Sequence, residues 1–227
     1  MSATIPRIGR AKLSQEVAEA IRWMIIDGSL PDGHRLTEES ISEETGVSRG
    51  TVREAITQLA SEGLVEAASY RGAVVSGISL EELAEVFIPV RWTLERFAIA
   101  RALEKLGPAQ LDHLSRIVDD MGTTAQSEDP TAIRRMVELD VDFHRTIIDA
   151  ADSRQAQQLW QAIQPRVRLG FYRLGASQPH PSLIADEHGR LLELLRKGEL
   201  GPVLVELEEH VVTSPLALLG LGESEPA

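Results

Sequence analysis

The sequence predicts a mainly α protein in two parts. Residues 1–77 read as a winged helix-turn-helix with a short β-hairpin, and residues 78–227 as an all-α antiparallel helical bundle. Three observations carry this reading. Apolar residues recur at helical spacing on either side of Gly46 and Ser48; two short strand-like runs follow around the turn at Ala67–Gly72; and beyond Ser79 the pattern is helical throughout, broken only by glycine and proline punctuation. With 227 residues and 43% hydrophobic content, the chain is long enough to bury a core in each part.

Taken in order, Glu38 to Thr45 forms a short helix with Ile41 on its inner side, and Gly46 supplies the permissive backbone needed to leave it. Ser48 caps the next helix, where Val52, Ile56, Leu59 and Leu64 face a core. That register leaves Arg49, Thr51 and Arg53 pointing elsewhere, and arginines beside a helix N-terminus suit phosphates and guanine edges. A solvated helical hairpin is the plain alternative. It loses ground to the strands Gly63–Glu66 and Ala73–Ser76, because helix, turn, helix and hairpin together make a winged helix that reads DNA.

At this point the chain resembles the GntR family of bacterial transcription regulators, through Ile26–Glu38, Ser48-Arg49 and Val52-Arg53-Glu54. The match covers nearly all of residues 12–77. The resemblance implies that Arg49 and Arg53 touch operator DNA, with Ser48 and Thr51 at the same helix start, and that Arg71 and Gly72 form a wing tip toward the minor groove. The sequence departs from the family where Gly50-Thr51 replaces Thr-Pro, which loosens the helix start. It departs again in the acidic run Glu38, Glu39, Glu43 and Glu44, to which no DNA contact is assigned.

Charge constrains how such a reader works. The net charge is -12, and residues 1–77 hold 8 Lys+Arg against 11 Asp+Glu. Binding therefore rests on a few placed arginines, with modest affinity that depends on dimerisation and on low salt. There are no cysteines, which excludes disulfides and thiolate metal ligands. The N-terminal residues lack the apolar core of a signal peptide, and no stretch approaches a membrane span, so a cytoplasmic protein without a membrane partner is expected.

Ser79-Leu80-Glu81-Glu82 looks like a capped helix start and marks the boundary, with almost no linker. Five or six helices follow, separated at Gly107-Pro108, Gly122–Pro130, Ala151-Asp152, Gly175–Pro181 and Gly201-Pro202. Asp140 and His144, four apart, point the same way on a helix, on a stripe shared with Met136, Phe143 and Ile147; Asp142 points away. His188 lies in register with Ile184, Leu191 and Leu195, and His210 with Val203 and Leu207. A lone histidine on an apolar face is usually core. Three of them plus an aspartate, with nitrogen and oxygen donors and no sulfur, suit a divalent ion such as Zn, Ni or Mn. His34, His113 and His180 do not share the inward register and are read as surface or loop residues.

This second part resembles the FCD-type effector-binding domain of the FadR branch of GntR regulators, through Asp140–His144, His188, His210 and Arg91–Glu95, over roughly residues 79–215. The resemblance implies a small organic acid bound beside the metal, and a homodimer whose winged helices address two half-sites of an operator. Arg91 is the candidate carboxylate partner, because a guanidinium makes two parallel hydrogen bonds; a surface ion pair with Glu95 is the alternative. Arg166 and Arg168, near Trp160 and Tyr172, are left out of the site. The whole reads as a transcription regulator, a repressor, controlled by a carboxylate effector. A metal-responsive regulator is the first alternative. A metal-dependent hydrolase is disfavoured, since neither a His-Glu-x-x-His helix nor an inward carboxylate near the ligands is apparent, so no catalytic residue is assigned.

Overall fold

A computed structural model describes residues 10–68, 72–129, 131–175 and 181–221. The chain divides into two compact units, Met1–Gly77 and Ile78–Ala227. In the first, α1 (Arg10–Ile26) packs against α3 (Arg49–Ser61), with α2 (Glu38–Thr45) beside it. Three of these helix ends have a local cause. Thr37 caps α2 by accepting from Ser40 N, and Gly46 leaves it at φ 71, in the left-handed region. Ser48 caps α3 by accepting from Thr51 N. Val17, Ile21, Val52, Ile56, Leu59 and Leu64 form the core, as their helical register requires.

The wing carries one strand more than the sequence suggests. β1 (Arg35–Thr37), β2 (Val65–Ala68) and β3 (Gly72–Val75) form an antiparallel sheet in the order β1-β3-β2. Three residues are too few to show alternation, and the sequence reads β1 as part of a turn; pairing with β3 creates it. Gly72 pairs with Thr37 on one side and Ala68 on the other. A Cβ there would stand 2.2 Å from the Leu36 carbonyl oxygen, so the close passage of β1 demands glycine. Ser69, Tyr70 and Arg71 lie outside the described residues.

In the second unit, Ser79 caps α4 (Leu80–Glu82) in a full capping box with Glu82. A π turn (Leu83–Phe87) joins α4 to α5 (Ile88–Ala102). Then come α6 (Pro108–Ala125), α7 (Ala132–Ala150), α8 (Arg154–Gly175), α9 (Ser182–Lys197) and α10 (Leu200–Glu208). A second π turn (Glu209–Thr213) joins α10 to α11 (Ser214–Leu218). Counting each π-linked pair as one rod gives six rods among the described residues, with α7 packed against α5, α6 and α8, and α9 against α6 and α10. Leu114, Met121, Phe143, Leu191, Leu207 and their neighbours make the main core. Leu94, Ala98, Ile148 and Trp160 make a smaller one between α5, α7 and α8. Among the described residues, no helix is long and apolar enough to cross a membrane.

Candidate metal centre and DNA-reading helix

The apolar stripe of α7 carries Asp140 and His144 into the bundle, where α9 contributes His188 and the second π turn contributes His210. Asp140, His144 and His188 are 0% exposed and His210 is 5% exposed. One donor atom from each lies within 4.8 Å of all the others. His144 Nε2 and His210 Nε2 are 3.1 Å apart, and Asp140 Oδ1 stands 3.5, 3.3 and 3.7 Å from the Nε2 atoms of His144, His188 and His210.

The other face of each ring explains why the Nε2 atoms converge. His188 Nδ1 donates to the Ile184 carbonyl at 2.7 Å, which fixes the proton there and leaves Nε2 bare. His144 Nδ1 lies 2.5 Å from Glu95 Oε2, and His210 Nδ1 lies 2.8 Å from Glu187 Oε2. The Ile184 carbonyl and Glu187 thus turn two lone pairs inward, and Glu95 lies beside the third ring, the arrangement that metal-binding imidazoles need. Asp140 Oδ1 and Oδ2 and His188 Nε2 are buried without a hydrogen-bond partner. An orphan carboxylate in a dry core is costly, and a cation resolves that cost. The donor set, three nitrogens and one oxygen, fits a divalent ion.

Titration follows the same geometry. Burial alone would raise the Asp140 carboxyl, but the Arg91 and His144 charges hold it well below its usual range. Glu95 goes the same way: against burial, Arg91 and His144 bring it down to about 2. Burial and the neighbouring His210 charge push His188 down to about 4. Burial also works against protonated His210, yet the nearby Asp140 and Glu187 carboxylates outweigh it and raise its pKa.

Arg91 pairs with Glu95 as the sequence alternative has it, Nε to Oε1 at 2.6 Å, but this is no surface pair: the residues are 7% and 2% exposed. Arg91 Nη2 stands 3.6 Å from Asp140 Oδ2 and makes no hydrogen bond. Glu95 and Glu187 are inward carboxylates that sequence reasoning missed, and they correct the expectation that none lies near the ligands. Glu95 hides in an i, i+4 pair with Arg91; Glu187 sits 23 residues from the ring it holds, which no local pattern signals. Both reach Nδ1, not the converging Nε2 atoms. Trp160 also belongs nearby, its ring centroid 6.4 Å from that of His144. Arg168 pairs with Glu138, and Arg166 lies over the Phe87 ring. Asp142 points outward to Arg145, and His34 and His113 are exposed; His180 lies outside the described residues.

At the start of α3, Arg49 and Arg53 project from the surface, but neither is bare. Arg53 Nε and Nη2 bond Glu38 Oε1 and Oε2, both at 2.7 Å, and Arg49 pairs with Glu39. The first two carboxylates of the acidic run, Glu38 and Glu39, therefore face the two arginines. Thr51 corrects the expectation that it points outward: it is buried, its hydroxyl 2.8 Å from that of Ser48, because a side chain three residues past the cap folds back onto it.

Comparison with known proteins places both units. The model described as "Bacterial regulatory proteins, gntR family" matches residues 13–75, and the model of the FCD domain matches residues 87–212. The chain belongs to the GntR family. Among curated GntR relatives, the chain is similar to the gluconate operon transcriptional repressors of Bacillus subtilis (strain 168), 34% identical over 158 residues, and of Bacillus licheniformis, 32% identical over 162. These matches cover 70% of this chain and 63% of each relative's length. Its fold is similar to that of E. coli McbR/YncC, with TM-score 0.71 at 22% identity over 92% of this chain and 97% of the other. The GntR and FCD families and these relatives are regulators, not enzymes.

Proposed function

We propose that this GntR-family chain is an operator-binding transcription repressor of the cytoplasm, governed by a small carboxylate bound beside a divalent ion. The observation that carries the effector half is the buried Asp140, His144, His188 and His210 cluster, with the His188 and His210 rings held by outside acceptors and Glu95 beside His144. Those four residues would hold the ion. When bound, the ion supplies open coordination positions for a carboxylate oxygen. Arg91, with Nη2 free of hydrogen bonds beside Asp140, is the protein's own cation for the same ligand. The DNA half rests on Arg49 and Arg53 at the capped start of α3, with Ser48 and Thr51 holding that start and Gly72 opening β3 beyond the wing residue Arg71. Dimerisation would present two such helices to two half-sites.

Regulation would act through the chain itself, since Ile78 directly follows Gly77 and the capped helix start comes one residue later. A coupling of about 1–3 kcal/mol changes operator occupancy from several-fold to a hundredfold. Native mass spectrometry of untagged protein purified without chelator tests the site: a dimer with one divalent ion per chain is expected. Protein that takes up none of Zn, Ni or Mn overturns the metal centre. Fluorescence anisotropy with operator DNA tests the reader, where Arg49→Ala is expected to abolish sequence preference; retention of that preference overturns the recognition-helix assignment.

A further inference from the structure

The four residues of the metal centre are not held alike. Asp140 and His144 sit one turn apart within α7, and His188 sits within α9 with its Nδ1 bonded to a carbonyl of the same helix. His210 instead lies on the second π turn, where the helical ladder carries an extra residue, and the acceptor at its Nδ1 comes from another element. That acceptor is Glu187 of α9. Glu187 directly precedes His188, and neighbours on a helix point about 100° apart, so one side chain enters the cluster while the other reaches round to the π turn. Both carboxylate oxygens are used there: Oε2 accepts from His210 Nδ1 at 2.8 Å, and Oε1 from Ser214 Oγ at 3.0 Å. Ser214 is four residues beyond His210, on the same side of the rod, and is the first residue of α11. The carboxylate therefore clasps the π turn across its junction with α11. This is also the side of the centre nearest water: Asp140, His144 and His188 are fully buried, whereas the Glu187 side chain is 18% exposed, against 3% for that of Glu95.

We infer that Glu187 is the positioning residue that retains the ion: with Ser214 it latches His210 over the centre, and release of that latch is the route by which the ion exchanges. This rests on the metal reading above. An imidazole whose Nδ1–H is held by a carboxylate has its ring fixed with Nε2 toward the ion, and it is a stronger donor for the carboxylate's charge. With an ion on the Nε2 side, the bond to Glu187 is what stops the His210 ring from turning. The His188 ring needs no such partner, because its own helix supplies the acceptor.

Zinc release from the full-length protein into excess pyridylazoresorcinol, together with the visible spectrum of the cobalt-loaded protein, tests the latch. Glu187→Ala is expected to speed zinc release about 10- to 100-fold and to shift the cobalt spectrum, which reports ligand geometry and does not respond to a loss of stability alone. Glu187→Gln keeps an amide oxygen that accepts from Nδ1, and is expected to recover part of the loss. Ser214→Ala removes the second bond and is expected to speed release about threefold. Glu209→Ala removes an exposed carboxylate next to His210 and is expected to leave release unchanged, which separates the latch from charge alone. Release at the wild-type rate from Glu187→Ala, or equal acceleration by Glu209→Ala, overturns the latch while the metal centre stands. Should Glu187→Ala fail to fold, wild-type release from both Glu187→Gln and Ser214→Ala overturns it in the same way. Wild-type protein that takes up neither zinc nor cobalt overturns the metal reading itself, and this inference with it.

Discussion

His188 and His210 occupy one cluster and titrate in opposite directions, which sets the pH dependence of the site. His210 is raised above its ordinary 6.5 because Asp140 and Glu187 favour its cation over the opposing effect of burial. His188 at about 4 is already neutral near neutral pH. A metal must displace protons, so at pH 6.5 it competes with a proton on His210 and not with one on His188. Metal affinity is expected to increase as pH rises from 6.5 through the folded pKa of His210, by up to tenfold per unit, and then level off. Calorimetry of zinc binding in buffers of different ionisation enthalpy measures the proton released. Release of no proton at pH 6.5 would contradict a protonated His210. In the metal-free protein, His188 favours unfolding on acidification: the unfolded histidine takes up a proton from about 6.5 downward and the native one resists until about 4, so its contribution to stability is lost across that window. His210 acts with the opposite sign, stabilising below 6.5 and ceasing to do so as pH rises through its raised folded pKa. At this scale the sequence showed which residues face inward, because register alone places Asp140, His144, His188 and His210. It did not show what holds them, since Glu187 reaches His210 between elements far apart in the chain.

Helix boundaries were legible wherever a cap writes them. Ser48, Gly46 and the Ser79–Glu82 box end or start helices as side-chain chemistry dictates. The two π turns were not, because the extra residue in each turn answers to packing and no local composition marks it. β1 was missed for the same reason, being three residues defined by its partner. The cap of α3 has a cost that can be measured. Ser48→Ala removes both the bond to Thr51 N and the hydroxyl partner of buried Thr51. A loss of about 1–2 kcal/mol is expected, seen as a lowered midpoint of urea unfolding with unchanged slope. No shift in midpoint would mean that tertiary packing alone fixes the helix start.

For the molecule as a whole, the second unit displays an apolar face it does not itself cover. Val86, Val90 and Phe97, on the first π turn and α5, and Leu159 of α8 are 49, 41, 45 and 56% exposed around one groove. A contiguous patch of this kind on a water-exposed surface is a place for self-association, and it is where the proposed dimer would close. Phe97→Glu is expected to shift sedimentation from dimer to monomer at micromolar concentration; an unchanged dimer places the interface elsewhere. The sequence hid this face among core positions, because spacing along a helix does not say which of two apolar sides meets the rest of the chain.

If Arg49 and Arg53 read the operator as proposed, the α2 carboxylates that hold them make binding an exchange of anions. On the proposed reading, each arginine would leave Glu38 or Glu39 to take a phosphate, so less of the counterion atmosphere on DNA would be traded for free positive charge than the number of arginines suggests. Because of these pairs, occupancy should decline more gently with salt than the low-salt dependence expected from composition, and Glu39→Gln should both tighten binding in dilute buffer and steepen its salt slope. A chain of net charge -12 would in this way approach a polyanion selectively, since the two cations proposed to read it stay masked until a phosphate outcompetes their own carboxylates.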